Sequence, residues 1–210
     1  MTKDKIIKAY IEFELLNGRK VNSVLELCKK IKLEEKEFYK HFKSLDALAK
    51  TIPLQLLLTT KERLLADENF ETYSGREKIL ALFFTLFEEF LNQRSYFVYK
   101  YSDSKNVLSQ SKDWSTFLSE LDCFTQEILQ EARINQEIQE RSLIDAHSHK
   151  AYKLIFTYLF RVWLNDESDE FSITDAAIEK SVNLSFDMLE KSPLDSLIDF
   201  GKFALKTKIF

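Results

Sequence analysis

Residues 23–48 read SVLELCKKIKLEEKEFYKHFKSLDAL. Ser23 and Glu26 are spaced as a capping box, S-x-x-E, just ahead of an apolar run. Val24, Leu27, Cys28 and Ile31 then recur at threes and fours, the buried stripe of a short helix. Ile31-Lys32-Leu33 makes a tight turn. The next helix, Glu34 to Phe42, buries Leu33, Phe38 and Phe42 by the same spacing, and Ser44 caps the one after it. Two short helices about a tight turn are the layout of a helix-turn-helix, a unit that lays its second helix in a DNA major groove.

Working outward, Asp4 to Asn17 forms a preceding helix carrying Ile7, Tyr10, Ile11, Phe13 and Leu15, closed by Gly18 in the left-handed position that glycine favours. Downstream, Ser44 to about Asp67 is one long helix with Leu45, Leu48, Ile52, Leu56, Leu64 and Leu65 apolar, and Pro53 inside it predicts a bend. Asp67 to Ser74 is a polar break, and Ser74-Gly75-Arg76-Glu77 is a second capping box. It opens a helix to Asn92 with Ile79, Leu82, Phe83, Leu86, Phe87 and Phe90 inward. Ser95 to Tyr101 is short and aromatic, and Ser102 to Lys112 reads as a loop. Asp113 caps a helix to Ile134 with Phe117, Leu121, Phe124 and Ile128 at spacings of four, three and four. A helix from Glu140 to Asn165, an acidic loop from Asp166 to Glu170, and a helix from Thr174-Asp175 to Lys191 follow. Ser192-Pro193 breaks the chain before a last helix through Phe203.

Composition agrees with this all-α reading. Three glycines and two prolines in 210 residues are too few for a chain built on hairpins. No apolar run reaches the roughly 18 residues of a membrane helix, and MTKDKIIKAY lacks a signal-peptide pattern. Cys28 and Cys123 stand alone, without a disulfide framework or a C-x-x-C metal site, so a reducing cytoplasm is expected. Residues 1–60 carry twelve Lys/Arg against eight Asp/Glu, while the remainder carries eighteen against twenty-six. A basic head on an acidic body suits a domain that faces a polyanion. No phosphate loop, H-E-x-x-H or G-x-S-x-G is present, so no enzyme and no cofactor is expected. His147 and His149, two apart on a helix, point to different faces and make no metal site.

The segment Tyr39-Lys40-His41-Phe42-Lys43-Ser44-Leu45-Asp46-Ala47-Leu48 resembles the signature of TetR-type, tetracycline-repressor-like regulators, roughly Y-x-H/Y-F-x-S-K-E-x-L. Gly18, Val24, Leu27 and Leu33 fall where that family has its glycine and helix-turn-helix core. The resemblance implies a three-helix DNA-binding head over residues 1–50, joined by a long helix to a helical ligand-binding and dimerisation body over 51–210. It implies a homodimer through the C-terminal helices, binding double-stranded DNA and an apolar small-molecule effector. By position, Tyr39 and His41 would touch phosphate, Lys36 and Lys40 would lie near the groove, and Ser23 and Lys43 would meet the backbone at helix starts. Lys32, in the turn, joins them as a cation. The bland reading of the same residues is a solvated helix face with Tyr39 packed on the core.

The chain departs from the family pattern at the turn, where Ile31 and Lys32 replace a small residue and a glycine, and at Glu34, which replaces a Ser or Thr cap. Leu45 stands where the family has Lys. Glu34, Glu35 and Glu37 crowd the first turn of the reading helix. They suit the helix dipole but oppose binding to phosphate. An alternative is therefore a protein of this fold that has lost DNA binding and holds an apolar or lipid-like molecule.

In the body, Phe83, Phe87, Tyr96, Tyr99, Trp114, Phe117, Phe124, Tyr152 and Phe156 are candidate walls of an apolar pocket, or plain core. The stripe Tyr152, Ile155, Phe156, Leu159, Phe160, Trp163 reads either as core or as half of a dimer interface.

Overall fold

The computed structural model describes residues 3–102, 112–138 and 142–189. Among them the chain forms α-helices and no strand. In order they are α1 (Lys3–Asn17), α2 (Val24–Lys30), α3 (Glu35–His41), α4 (Leu45–Leu65), α5 (Gly75–Leu91), α6 (Arg94–Tyr101), α7 (Ser115–Ile134), α8 (Ser142–Leu164) and α9 (Ser172–Leu189). The fold is all-α, as the glycine-poor composition requires. The expected break at Ser192-Pro193, the helix beyond it, most of the loop at 102–112, the Glu140 helix start and the His147 and His149 side chains lie outside what is described.

α4 spans the chain's two halves. It stays helical across Pro53, and the expected boundary at residues 50/51 falls inside it. It packs on α5 and α7 and on the short 3-10 turn Lys112–Trp114, while α1 packs on α2 and α6. α5 also meets α7 and α9, and α8 lies against α6, α7 and α9. The core of this bundle is aromatic. The Phe90 ring lies 4.8 Å from Phe97, 5.4 Å from Phe160, 5.8 Å from Trp163, 6.0 Å from both Trp114 and Phe156, and 6.1 Å from Phe117. Full burial of each such side chain stabilises by about 1.5–3 kcal/mol, and favourable ring pairs add about 0.5–1.5 kcal/mol.

The start of α5 shows how closely the elements fit. Ser74 Oγ accepts from the Glu77 amide, and the Glu77 carboxylate accepts from the Ser74 amide at 2.8 Å, the complete capping box. Gly75 follows because nothing larger fits: a Cβ there would stand 2.6 Å from Ala132 Cβ. Its amide donates to Glu137 Oε2 at 2.6 Å, tying α5 to the turn after α7.

Three local expectations differ. Asp113 does not cap α7, whose N-cap is Trp114 without a side-chain cap bond; the Asp113 carboxylate instead pairs with Lys100 Nζ at 3.1 Å. The polar break before Ser74 contains a 3-10 turn, Phe70–Thr72, pinned by buried Phe70. The acidic loop also carries a 3-10 turn, Asp169–Phe171, and it begins with a carboxylate that faces inward. Asp166 Oδ1 accepts from the Ser168 amide and hydroxyl at 2.9 and 2.5 Å, and Oδ2 from the Thr174 amide and hydroxyl at 2.8 and 2.6 Å.

Burial alone would push the Asp166 carboxyl up, but its hydrogen bonds from Ser168 and Thr174 outweigh burial and hold it at about 2, below the ordinary 3.8. Stability from Asp166 is therefore fully present above about pH 5 and is lost as the pH falls through the folded-state value. Denaturant unfolding between pH 6 and pH 2 should show about 2 kcal/mol of acid-labile stability that Asp166→Asn lacks. An unchanged acid limb in the variant would contradict the inward-facing carboxylate.

Candidate functional site

The α2–turn–α3 unit is built from local hydrogen bonds. Ser23, extended at φ −151° and ψ 157°, caps α2 by accepting from the Glu26 amide at 3.1 Å. The return half of the expected box is displaced by one residue: the Glu26 carboxylate accepts from the Asn22 amide at 2.8 Å and pairs with Arg19. At the other end the Leu33 amide donates to the Cys28 carbonyl at 2.9 Å and the Lys32 amide to the Lys29 carbonyl at 3.4 Å. This is a Schellman closure, and it puts Lys32 at φ +52°. A lysine thus occupies a backbone position that glycine fills without cost.

α3 is seated by Phe38, which is fully buried, and by Phe42 just beyond it. Ser44 Oγ accepts from the Ala47 amide at 3.1 Å and starts α4. Glu34, the N-cap of α3, makes no side-chain cap bond.

Ser23, Lys32, Lys36, Tyr39, Lys40, His41 and Lys43 are all exposed. Tyr39 does not pack into the core. Its ring meets Phe38 edge-on at 5.5 Å and stays 53% exposed. Lys40 pairs with Glu37 at 2.5 Å, a bond that lowers the Glu37 carboxyl below its ordinary value. Among the described residues Lys32, Lys36 and Lys43 have no ion-pair partner, and neither do Glu34 and Glu35. Sequence reasoning passed over Lys29 and Lys30, exposed in the last turn of α2, where the basic end of the helix was the signal.

The body aromatics pack ring on ring. Phe83 stacks on Tyr152 at 6.4 Å, Phe87 on Phe156 at 6.2 Å, and Phe117 lies 4.6 Å from Phe156. Trp114 sits 5.6 Å from Phe156, and its buried Nε1 has no acceptor among the described residues. Phe124 is buried with Lys61 Nζ 4.7 Å over its ring. Tyr99 is 41% exposed and stands apart from them.

Two larger cavities border this core. One, of about 640 Å³, lies between α1, α4 and the α5–α6 corner, with Ile7, Ile11, Leu15, Leu56 and Tyr96 among its walls. Behind it Glu14 is buried with Oε1 unpartnered among the described residues. Burial, helped by the Glu14 hydrogen bond, pushes the Tyr10 hydroxyl well up. The other, about 420 Å³, is an apolar groove between α8 and α9 lined by Leu154, Ile155, Tyr158, Leu184 and Met188. Leu154 is 73% and Met188 64% exposed. Of the two readings of the α8 stripe, core holds for Tyr152, Phe156, Leu159, Phe160 and Trp163, which are buried inside the chain, while Ile155 is half-buried and lines the groove, where Leu154 and Tyr158 are exposed.

Residues 78–204 match the family model described as Tetracyclin repressor-like, C-terminal domain. No curated protein matches the chain.

Lys32 generates a direct check on the turn. Lys32→Gly should raise stability by up to about 1 kcal/mol, since relief of the left-handed backbone is partly offset by a freer unfolded chain. Lys32→Val should lower it. A glycine variant that unfolds at lower denaturant would contradict the closure described.

Proposed function

The chain belongs to the tetracycline repressor-like family of regulators, and on that premise we propose that it is a ligand-responsive transcriptional regulator that binds DNA as a homodimer in the cytoplasm. Residues 1–50 form the reading head, and residues 51–210 hold the effector and the partner copy.

The observation that carries this reading is the exposure of Tyr39 on α3. A tyrosine that served only the core would be turned inward, as Phe38 beside it is. On this reading Tyr39 and His41 touch phosphate, Lys36 and Lys40 lie near the groove, Ser23 and Lys43 meet the backbone at helix starts, and Lys32 joins them as a cation. Phosphate contacts set the register and base-edge contacts select the sequence. Glu34 and Glu35 lower the affinity, and Glu37 draws off Lys40.

The exposed groove of α8 and α9 supports dimerisation, because an apolar face of this kind is covered in most soluble proteins. The cavity between α1, α4 and the α5–α6 corner, with Ile7, Ile11, Leu15, Leu56 and Tyr96 among its walls, supports an effector with an apolar part. Binding that shifts the body between two arrangements would change the spacing of the heads. A second reading, the same fold without DNA binding and holding an apolar or lipid-like molecule, is favoured by the three glutamates of α3.

A gel shift at low salt against the DNA upstream of its own coding sequence separates the two. The regulator reading expects a complex that Tyr39→Ala and Lys36→Glu abolish, and that Glu34→Gln with Glu35→Gln tightens by about tenfold. No complex in any variant would support the second reading. In sedimentation, Leu154→Glu with Leu184→Glu should turn a dimer into a folded monomer; an unchanged dimer would move the interface elsewhere.

A further inference from the structure

A third cavity, about 160 Å³, lies between α5, the end of α8 and the start of α9, and shares no lining residue with the α8–α9 groove. Its walls carry four aromatic rings, Phe84, Phe87, Trp163 and Phe171, and its polar groups are mainly carboxylates: Glu88, Glu170 and Asp175. Glu88 is paired with Arg63 at 2.7 Å. Glu170 and Asp175 have no ion-pair partner among the described residues. Burial first, then Glu179 and Asp166, push the Asp175 carboxyl up.

Two of these rings already hold a cation, Arg94. The Arg94 guanidinium stands 4.8 Å from the Trp163 ring and 4.6 Å from the Phe171 ring, and donates to the carbonyls of Trp163 and Asp166 at 2.6 and 3.0 Å. Phe171 is brought there by two successive left-handed residues, Glu170 at φ 53° and Phe171 at φ 59°.

The geometry points to this cavity as a binding site for a small organic cation, an alkylammonium head held against the half-buried Phe84 and Phe171 rings and beside the exposed Glu170 and Asp175 carboxylates. Ring quadrupoles attract a cation over their faces, more strongly when water is excluded. The free carboxylates supply the long-range attraction that a neutral molecule of the same shape would not feel. The cavity has room for a trimethylammonium group but not for a drug-sized apolar effector. The site requires neither DNA nor a partner copy, so it stands apart from the regulator reading.

The test is ligand-observed NMR with the full chain, titrating choline, tetramethylammonium and the uncharged choline analogue 3,3-dimethylbutan-1-ol. Both cations should bind, with the alcohol at least about tenfold weaker. Glu170→Gln with Asp175→Asn, which keeps side-chain size, and Phe84→Leu should each weaken choline by a similar factor while the helical signal and unfolding midpoint stay near wild type. Absence of choline binding at about 10 mM, a concentration well above where a ring-and-carboxylate site should fill, would overturn the assignment. So would equal binding of the alcohol, or binding unchanged in both variants.

Discussion

Contact between the Phe90 ring and its aromatic neighbours fixes the body of this protein. Phe90 comes from α5, Phe97 from α6, Trp114 from the turn before α7, Phe117 from α7, and Phe156, Phe160 and Trp163 from α8. Elements far apart in sequence thus meet at one side chain. Rings pack to near-crystalline density only in a few arrangements, so a small shift of one helix must be answered by the others. The Trp114 N–H is buried within this packing and has no acceptor among the described residues.

That packing reaches the helix-turn-helix through α6. Phe97 and Tyr101 of α6 face the ring cluster, while Tyr96 lies in the field of Tyr10 and Glu14 on α1. Lys100 donates to the Tyr96 hydroxyl at 2.8 Å and pairs with Asp113 beside Trp114. α1 therefore rests on a helix whose other face belongs to the body core. A second long tie is α4, which is continuous from Ser44's cap to Leu65. Through α6 and α4 the body is joined to the N-terminal helices by packed elements among the described residues.

Much of this was legible in the sequence, for physical reasons that differ between elements. Ser23, Ser44 and Ser74 mark true helix starts because capping depends only on residues within one turn. The inward positions of α5 and α7 follow from spacing. The turns were harder. Gly18 takes the left-handed position expected of it after α1, at φ 60°, but with three glycines in the chain the other left-handed positions among the described residues fall to Lys32, Gln136, Glu170 and Phe171, residues that carry no turn signal. Asp166 reads as one more solvated acid until its four hydrogen bonds are seen. α8 is apolar on more than one face, and periodicity could not say which face its own chain covers. The nine aromatic candidates were sound as a buried set, Tyr99 excepted, but spacing cannot distinguish a filled core from a cavity wall.

The reading face is a contest of charge. On the proposed DNA-facing surface Lys32, Lys36 and Lys43 carry no ion pair among the described residues, Glu34 and Glu35 would oppose phosphate, and Glu37 holds Lys40. Selection of bound sites from a random double-stranded DNA pool by the full chain decides the outcome without assuming an operator. A symmetric dimer carrying two such helices should enrich an inverted repeat, its half-sites centred about one helical turn or a whole multiple of it apart. Recovery of no enriched sequence, at salt low enough for non-specific binding to be seen, would contradict the account.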